Sequence, residues 1–199
     1  MRALVTGGLG FVGSHLAEAL LAAGWDVAIL DNCSRRGARQ IYDEVFFRQL
    51  GDRVAVKIGD VRRSRDVEIA VDGAAVVFHL AAQVAVTISV ADPWADFQTN
   101  ALGTLTVLEA ARQSPKRPPV VYASTNKVYG SLKWTDKFVR RFGVNEEHPL
   151  DFRSPYGCSK GVADQYVLDY ARTYSLRTVT LRKSCIYGPR QFGCEDQGW

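Results

Sequence analysis

Cysteine is scarce in this 199-residue chain: Cys33, Cys158, Cys185 and Cys194 show no C-x-x-C and no paired spacing. That excludes a zinc ribbon and a disulfide framework, and no metal site is expected. Net charge is small, with 25 Lys and Arg against 21 Asp and Glu leaving +4. The pairs Arg35-Arg36, Arg62-Arg63 and Arg140-Arg141 are scattered among acids. Nucleic-acid binding wants a basic stripe, so no such partner is expected. Long apolar runs are missing too. Residues 73–91 hold no Asp, Glu, Lys or Arg, but His79, Gln83, Thr87 and Ser89 interrupt them. They read as a strand followed by a loop, with no membrane span. The opening residues form a strand pattern in place of a charged n-region and apolar h-region, so a cytoplasmic protein is expected. There is no internal repeat and no low-complexity tract.

What is present begins at the first strand. Ala3-Leu4-Val5 is a short apolar run that breaks into Thr6-Gly7-Gly8-Leu9-Gly10-Phe11-Val12-Gly13. Gly8, Gly10 and Gly13 fit the G-x-G-x-x-G fingerprint, with glycines for a tight turn, close approach of a pyrophosphate, and helix–strand packing. A helix is predicted over 11–23 with Gly24 as its stop, then a strand over 26–30 ending in Asp31. An acid at that distance can hold the adenosine ribose and repel a 2′-phosphate, which points to NAD. Arg35 and Arg36 follow closely and could instead hold a 2′-phosphate, so NADP stays open.

Further helices are predicted over 38–50, 64–71, 92–113 and 154–174, and further strands over 54–58, 74–80, 120–124 and 177–182. Asp92-Pro93 and Ser154-Pro155 are cap-and-proline helix starts, and Ser64 is a candidate cap. Residues 131–153 are irregular and long for a connection. Strands alternating with helices imply a doubly wound parallel α/β sheet of Rossmann type. Asp60 falls where the third strand's carboxyl end meets the cofactor crevice, although a turn aspartate fits equally well.

Tyr156 and Lys160 lie four apart at the start of one helix and share a face. A phenol titrates near 10, and bringing it toward 7 takes roughly 4 kcal/mol of differential stabilisation, which two partly desolvated cations could supply. Ser124-Thr125-Asn126 ends the fifth strand, where a hydroxyl can hold a substrate alcohol. Asn100 interrupts a mostly apolar helix face; a solvated asparagine is the plain alternative.

Taken together, Thr6-Gly-Gly-x-Gly-Phe-x-Gly13, His79-Leu-Ala-Ala82, Asn100, Ser124-Thr125 and Tyr156-x-x-x-Lys160 resemble the extended short-chain dehydrogenase/reductase family over essentially the whole chain. The resemblance implies Thr125, Tyr156 and Lys160 as catalytic. It implies Gly7, Gly10, Phe11, Val12, Asp31, Asn32, Ser34, Arg35, Asp60, Val61, Leu80, Ala81, Ala82, Asn100, Ser124 and Ser184, with Tyr156 and Lys160, around NAD. Gln83, Thr125, Asn126 and Cys185 are assigned to substrate on the same basis, and the helices over 92–113 and 154–174 to a homodimer contact.

The family's 4,6-dehydratases carry Asp-Glu directly after the strand-five threonine, because removing water needs an acid and a carboxylate base. Here the pair is Asn126-Lys127, which disfavours dehydration. The strings Ser124-Thr-Asn-Lys-Val-Tyr-Gly130, Leu150-Asp-Phe-Arg-Ser-Pro-Tyr-Gly-Cys-Ser-Lys-Gly161 and Tyr187-Gly-Pro-Arg-Gln-Phe192 are similar to the CDP-paratose 2-epimerase subfamily. That implies a nucleotide-sugar epimerase inverting C2 of a CDP-hexose through a transient 2-keto sugar. A 4-epimerase acting on a UDP-sugar, an NADP-dependent reductase and a non-catalytic dinucleotide-binding scaffold remain alternatives. The resemblance also implies an NAD-binding domain over 1–182 and only the start of a C-terminal substrate domain over 183–199, where Arg190 and Gln191 begin the substrate region.

Overall fold

The computed structural model describes residues 1–43, 53–132, 135 and 137–193. Its elements alternate from the start: β1 (Arg2–Thr6), α1 (Phe11–Ala22), β2 (Asp26–Asp31), α2 (Ala38–Ile41), β3 (Val54–Ile58), α3 (Ser64–Val71) and β4 (Val76–His79). Then come α4 (Val86–Ala91), α5 (Pro93–Phe97), a π-helical turn (Gln98–Leu102) and α6 (Gly103–Gln113). The chain continues through β5 (Val120–Thr125), a 3-10 turn (Asn126–Tyr129), α7 (Lys137–Phe142), α8 (Ser154–Tyr174) and β6 (Thr178–Lys183).

The six strands form one sheet in the order β3-β2-β1-β4-β5-β6, and every neighbouring pair is parallel. This is the doubly wound Rossmann order, whose direction of winding reverses between β1 and β4. Side-chain alternation along the strands builds two cores. Leu4, Ala28, Leu30, Val77, Val120 and Tyr122 face α3, α6 and α8, meeting Val67, Val107, Leu108 and Val167. Val5, Val27 and Ile29 face the other way, onto Ala17 and Leu21 of α1 and Ala38 and Ile41 of α2. A strand buried on both faces reads as a continuous apolar run, as Ala3-Leu4-Val5 does.

Local signals account for most boundaries. The Asp92 carboxylate accepts the Ala95 N–H at 2.9 Å with Pro93 in the first turn, and Ser154 Oγ accepts the Gly157 N–H at 3.3 Å. Gly24, at φ +83°, lies just beyond α1 in the left-handed conformation that ends many helices.

Other expectations need correction. Ser64 is the first helical residue of α3, its predecessor Arg63 holds the cap position, and no side chain caps the helix. The stretch expected to be a loop after β4 contains α4, because packing against α8 outweighs the weak helix propensity of Val86, Thr87 and Ile88. The helix expected over 92–113 is interrupted by the π-helical turn. Helix α7 occupies part of 131–153. Of the helix expected over 38–50, Ala38–Ile41 is observed and 44–50 lies outside the described residues. Among the described residues no helix is long and apolar enough to cross a membrane.

Candidate active site

The carboxyl ends of β1, β2, β4, β5 and β6 open into a cleft of about 520 Å³. On its β1 side, Gly7 takes φ +71°, and a Cβ there would lie 2.7 Å from the Ala81 backbone nitrogen. At Gly13 a Cβ would come within 2.2 Å of the Gly7 carbonyl oxygen. Gly8 does not adopt the left-handed conformation; its bare Cα makes room for Ile29. The tight-turn role assigned to the first fingerprint glycine therefore belongs to Gly7. A Cβ on Gly10 would face only the Gly7 oxygen, at 3.3 Å. Gly10 also caps α1 with no side-chain hydrogen bond to the helix N-terminus. The open approach and unshared N–H groups fit a diphosphate.

Asp31 ends β2 in the cleft wall, where its carboxylate accepts the Leu9 N–H at 2.9 Å and the Cys33 N–H at 2.8 Å. It thus ties the glycine loop to the next turn, and burial raises its pKa against those two hydrogen bonds. Asn32, Ser34 and Arg35 line the same end, with Val61 beyond β3. Asp60 does not line the cleft. Arg62 binds its carboxylate at 2.7 and 2.9 Å, lowering its pKa to about 2, and Asn32 Nδ2 donates to it at 3.1 Å. Asp60 therefore orients Asn32, which does line the cleft.

At the winding switch a hydrogen-bond chain joins three elements. Thr104 Oγ1 donates to the Asn100 carbonyl at 2.6 Å, so it accepts from His79 Nε2 at 3.0 Å. His79 Nδ1 is then left to accept from Thr6 Oγ1 at 2.7 Å. Fully buried, His79 stays neutral, its pKa depressed to about 3 by desolvation and by the charge of Lys160. The Thr6 oxygen also receives the Ala81 N–H, fixing Leu80, Ala81 and Ala82 along the cleft.

Two assigned residues point inward. Asn100, buried on the π-helical turn, accepts the Gln83 N–H at 2.9 Å and donates to the Gln83 carbonyl, Asp96 and Ser159. It pins the loop after β4 and, buried, is not the solvated asparagine of the plain alternative. The resemblance assigns Gln83 to substrate, but its amide is consumed by Ala85 and by Asp96 at 2.9 Å, and it does not line the cleft.

On the far wall stand Ser124, Thr125 and Asn126 from β5 and the turn after it, Tyr156 and Lys160 from α8, and Ser184 and Cys185 beyond β6. Ser124 lines the wall, but its hydroxyl donates to the buried Asp164 at 2.6 Å, and Arg182 pairs with that carboxylate at 2.8 Å. Tyr156 and Lys160 share the inward face of α8 and are buried. Burial raises the Tyr156 pKa, and hydrogen bonding to Thr125 opposes the shift. Lys160 Nζ donates to the Ala123 carbonyl at 2.7 Å and sits 4.3 Å from the Tyr122 ring centroid. Desolvation, with the nearby Lys183 charge, lowers its pKa to about 7.

The cleft also contains groups that pattern reading missed. Lys183 closes β6 beside Thr125; the adjacency of those two strand ends was the available signal. Lys127 lines the wall as well. Arg190 and Gln191, expected at the start of a substrate region, both line the cleft, and the Arg190 guanidinium is bound to Glu18 at 2.6 and 2.8 Å. Phe192 packs on Gly37, where a Cβ would overlap its ring. Among the described residues no cluster of His, Cys, Asp and Glu could hold a metal ion.

Known proteins resemble this chain in sequence and in fold. The chain is 46% identical to a CDP-paratose 2-epimerase of Salmonella typhi, an alignment covering 100% of this chain and 61% of that protein. It is 37% identical to a putative UDP-glucose 4-epimerase of Methanocaldococcus jannaschii, over 94% of this chain and 57% of the relative. A Thermus thermophilus UDP-glucose 4-epimerase, solved in complex with NAD, superimposes with a TM-score of 0.80 at 38% identity, covering 96% of this chain and 58% of that one. The chain thus spans about 60% of the length of these relatives. A family model described as GDP-mannose 4,6 dehydratase matches residues 4–195, and the chain belongs to this epimerase–dehydratase family of extended short-chain dehydrogenase/reductases.

Proposed function

We propose that this chain carries the NAD-binding and catalytic part of a nucleotide-sugar epimerase that inverts C2 of a CDP-hexose. The observation that carries the reading is the convergence of Thr125, Tyr156 and Lys160 on one cleft wall, opposite a glycine loop open to a diphosphate. Asn126 and Lys127 stand where a dehydratase needs an acid and a carboxylate base, which favours epimerisation. The 46% identity to a protein named CDP-paratose 2-epimerase supports the choice of C2 and of cytidine.

NAD, when bound, supplies a hydride acceptor and takes part in no net redox. Gly7, Gly10, Phe11, Val12, Asp31, Asn32 and Ser34 would hold it. Thr125 orients the sugar hydroxyl by hydrogen bonding. Tyr156 as phenolate removes the hydroxyl proton and returns it after the keto sugar has presented its other face. Lys160 favours the phenolate by its charge. Residues 183–199 would begin a substrate domain. A homodimer through the helices over 92–113 and 154–174 is supported by exposed apolar side chains on them, with Trp94 68% and Phe97 45% accessible. Three unpaired cysteines among the described residues suit a reducing, cytoplasmic setting.

The test is to denature the purified protein and assay the released nucleotide. NAD in near-equal molar amount supports the reading, whereas released NADP favours a reductase. In a chain that turns over CDP-sugar, Tyr156→Phe is expected to lower the rate about a thousandfold with NAD occupancy kept; near-normal turnover would remove Tyr156 from the mechanism.

A further inference from the structure

Thr125 and Lys183 are direct partners in the parallel register of β5 and β6, and both line the cleft with Tyr156 and Lys160. Lys183 is half-buried, and none of the ion pairs among the described residues involves it. The carboxylates that act on Lys160, Asp164 and Asp96, are themselves hydrogen-bonded by other groups. Asp164, one turn beyond Lys160 on α8, is held by Arg182 and Ser124. Asp96 on α5 receives the Gln83 and Asn100 amides. The other chargeable groups on the same wall are Lys127 and the Cys185 thiol. Two lysine side chains, one from α8 and one from β6, therefore share a wall with the Tyr156 phenol, which α8 carries one turn before Lys160.

We infer that Lys183 is a positioning residue of the reaction centre, a second cation beside Thr125 whose repulsion drives a proton out of the Tyr156–Lys160 pair. The proton leaves to water, no bond to carbon changes, and the pair is left with one proton fewer, carried either as phenolate–ammonium or as phenol–amine. Like charges disfavour the more positive state of a coupled pair, so the effect belongs to the pair and not to either member alone. The depressed pKa of Lys160, to which Lys183 contributes after desolvation, agrees with this arrangement. The inference rests on the reading of Tyr156 as the base. It goes beyond that reading by giving a role to a strand end outside the Tyr-x-x-x-Lys motif.

The experiment follows the Lys160 Cε resonance by carbon-13 NMR of the labelled 199-residue chain between pH 5 and 10, assigned with Lys160→Met. Lys183→Met and Lys183→Gln are expected to raise the titration midpoint by about one pH unit, and Lys183→Arg to leave it within a few tenths. A midpoint unmoved in both neutral variants, or moved equally in the arginine variant, overturns the inference. Its failure is separable from failure of the catalytic reading, which depends on the Tyr156→Phe rate and not on this midpoint.

Discussion

Replacing Lys160 by Met is expected to stabilise the fold while removing activity. The ammonium is 3% exposed, and its pKa falls from 10.5 to about 7 in the folded protein. Between those values the unfolded chain keeps a proton that the folded chain releases, so stability rises with pH across that window. At pH 7 the buried charge costs about 4 kcal/mol, since each pH unit separating the two values contributes roughly 1.4 kcal/mol and half of the folded molecules are already uncharged. Methionine follows the same path without charge. It forfeits the hydrogen bond to the Ala123 carbonyl, a loss of about 1 kcal/mol. The net expectation at pH 7 is a variant more stable by about 2–3 kcal/mol. The advantage should shrink by about 3 kcal/mol by pH 9.5, where the unfolded lysine itself begins to deprotonate. Urea unfolding of both proteins at the two pH values measures this, and groups common to both cancel in the difference. A variant no more stable than the parent at pH 7, or a gap that ignores pH, would refute the reasoning.

Three further perturbations test other parts of the site. His79 stays neutral down to about pH 3, whereas an unfolded histidine protonates near 6.5. Acidification from pH 7 to pH 4 should therefore cost the parent about 3 kcal/mol more than His79→Gln, read from denaturant midpoints along the pH series. Gly13→Ala places a methyl 2.2 Å from the Gly7 oxygen, so the helix must shift; calorimetry should show a loss of about 2 kcal/mol or more, and titration a loss of NAD binding. Asn100→Ala leaves the Gln83 backbone without its buried partners, and unfolding should show a loss of about 2–3 kcal/mol, with proteolysis appearing first near residues 81–85.

Much of this architecture was legible in the chain because local chemistry and global fold agree. The glycine loop, the Asp92 cap, the βα alternation and the Tyr156–Lys160 spacing each act over a few residues, and each was readable. The same reading failed where a side chain's partner lies far away in sequence. Gln83 resembles a ligand-facing residue until Asp96 and Asn100, 13 and 17 residues on, take up its amide and backbone. Asp60 is the turn aspartate that its sequence also allowed, accepting the Arg62 N–H two residues on, but its bond to Asn32, 28 residues back, had no local signal. Lys183 carries no motif, since only the β5–β6 register brings it beside Thr125. Helix α4 escaped notice because its β-branched residues are poor helix formers and its stability comes from α8.

The π-helical turn at Gln98–Leu102 has a consequence for how this chain can change its length. A widened turn is in effect a one-residue insertion held inside a continuous helix. It advances everything upstream by about 100° relative to everything downstream, one residue's rotation in a helix with 3.6 residues per turn. The upstream half can thus aim Asp96 at the loop after β4 while the downstream half beds Val107, Leu108 and Ala111 against the sheet. Removing a single residue here would restore a regular helix and leave the lower core in phase, yet swing Asp96 away from Gln83. The turn is therefore a phase joint, at which the wall of the cleft can be re-indexed independently of the core that supports it.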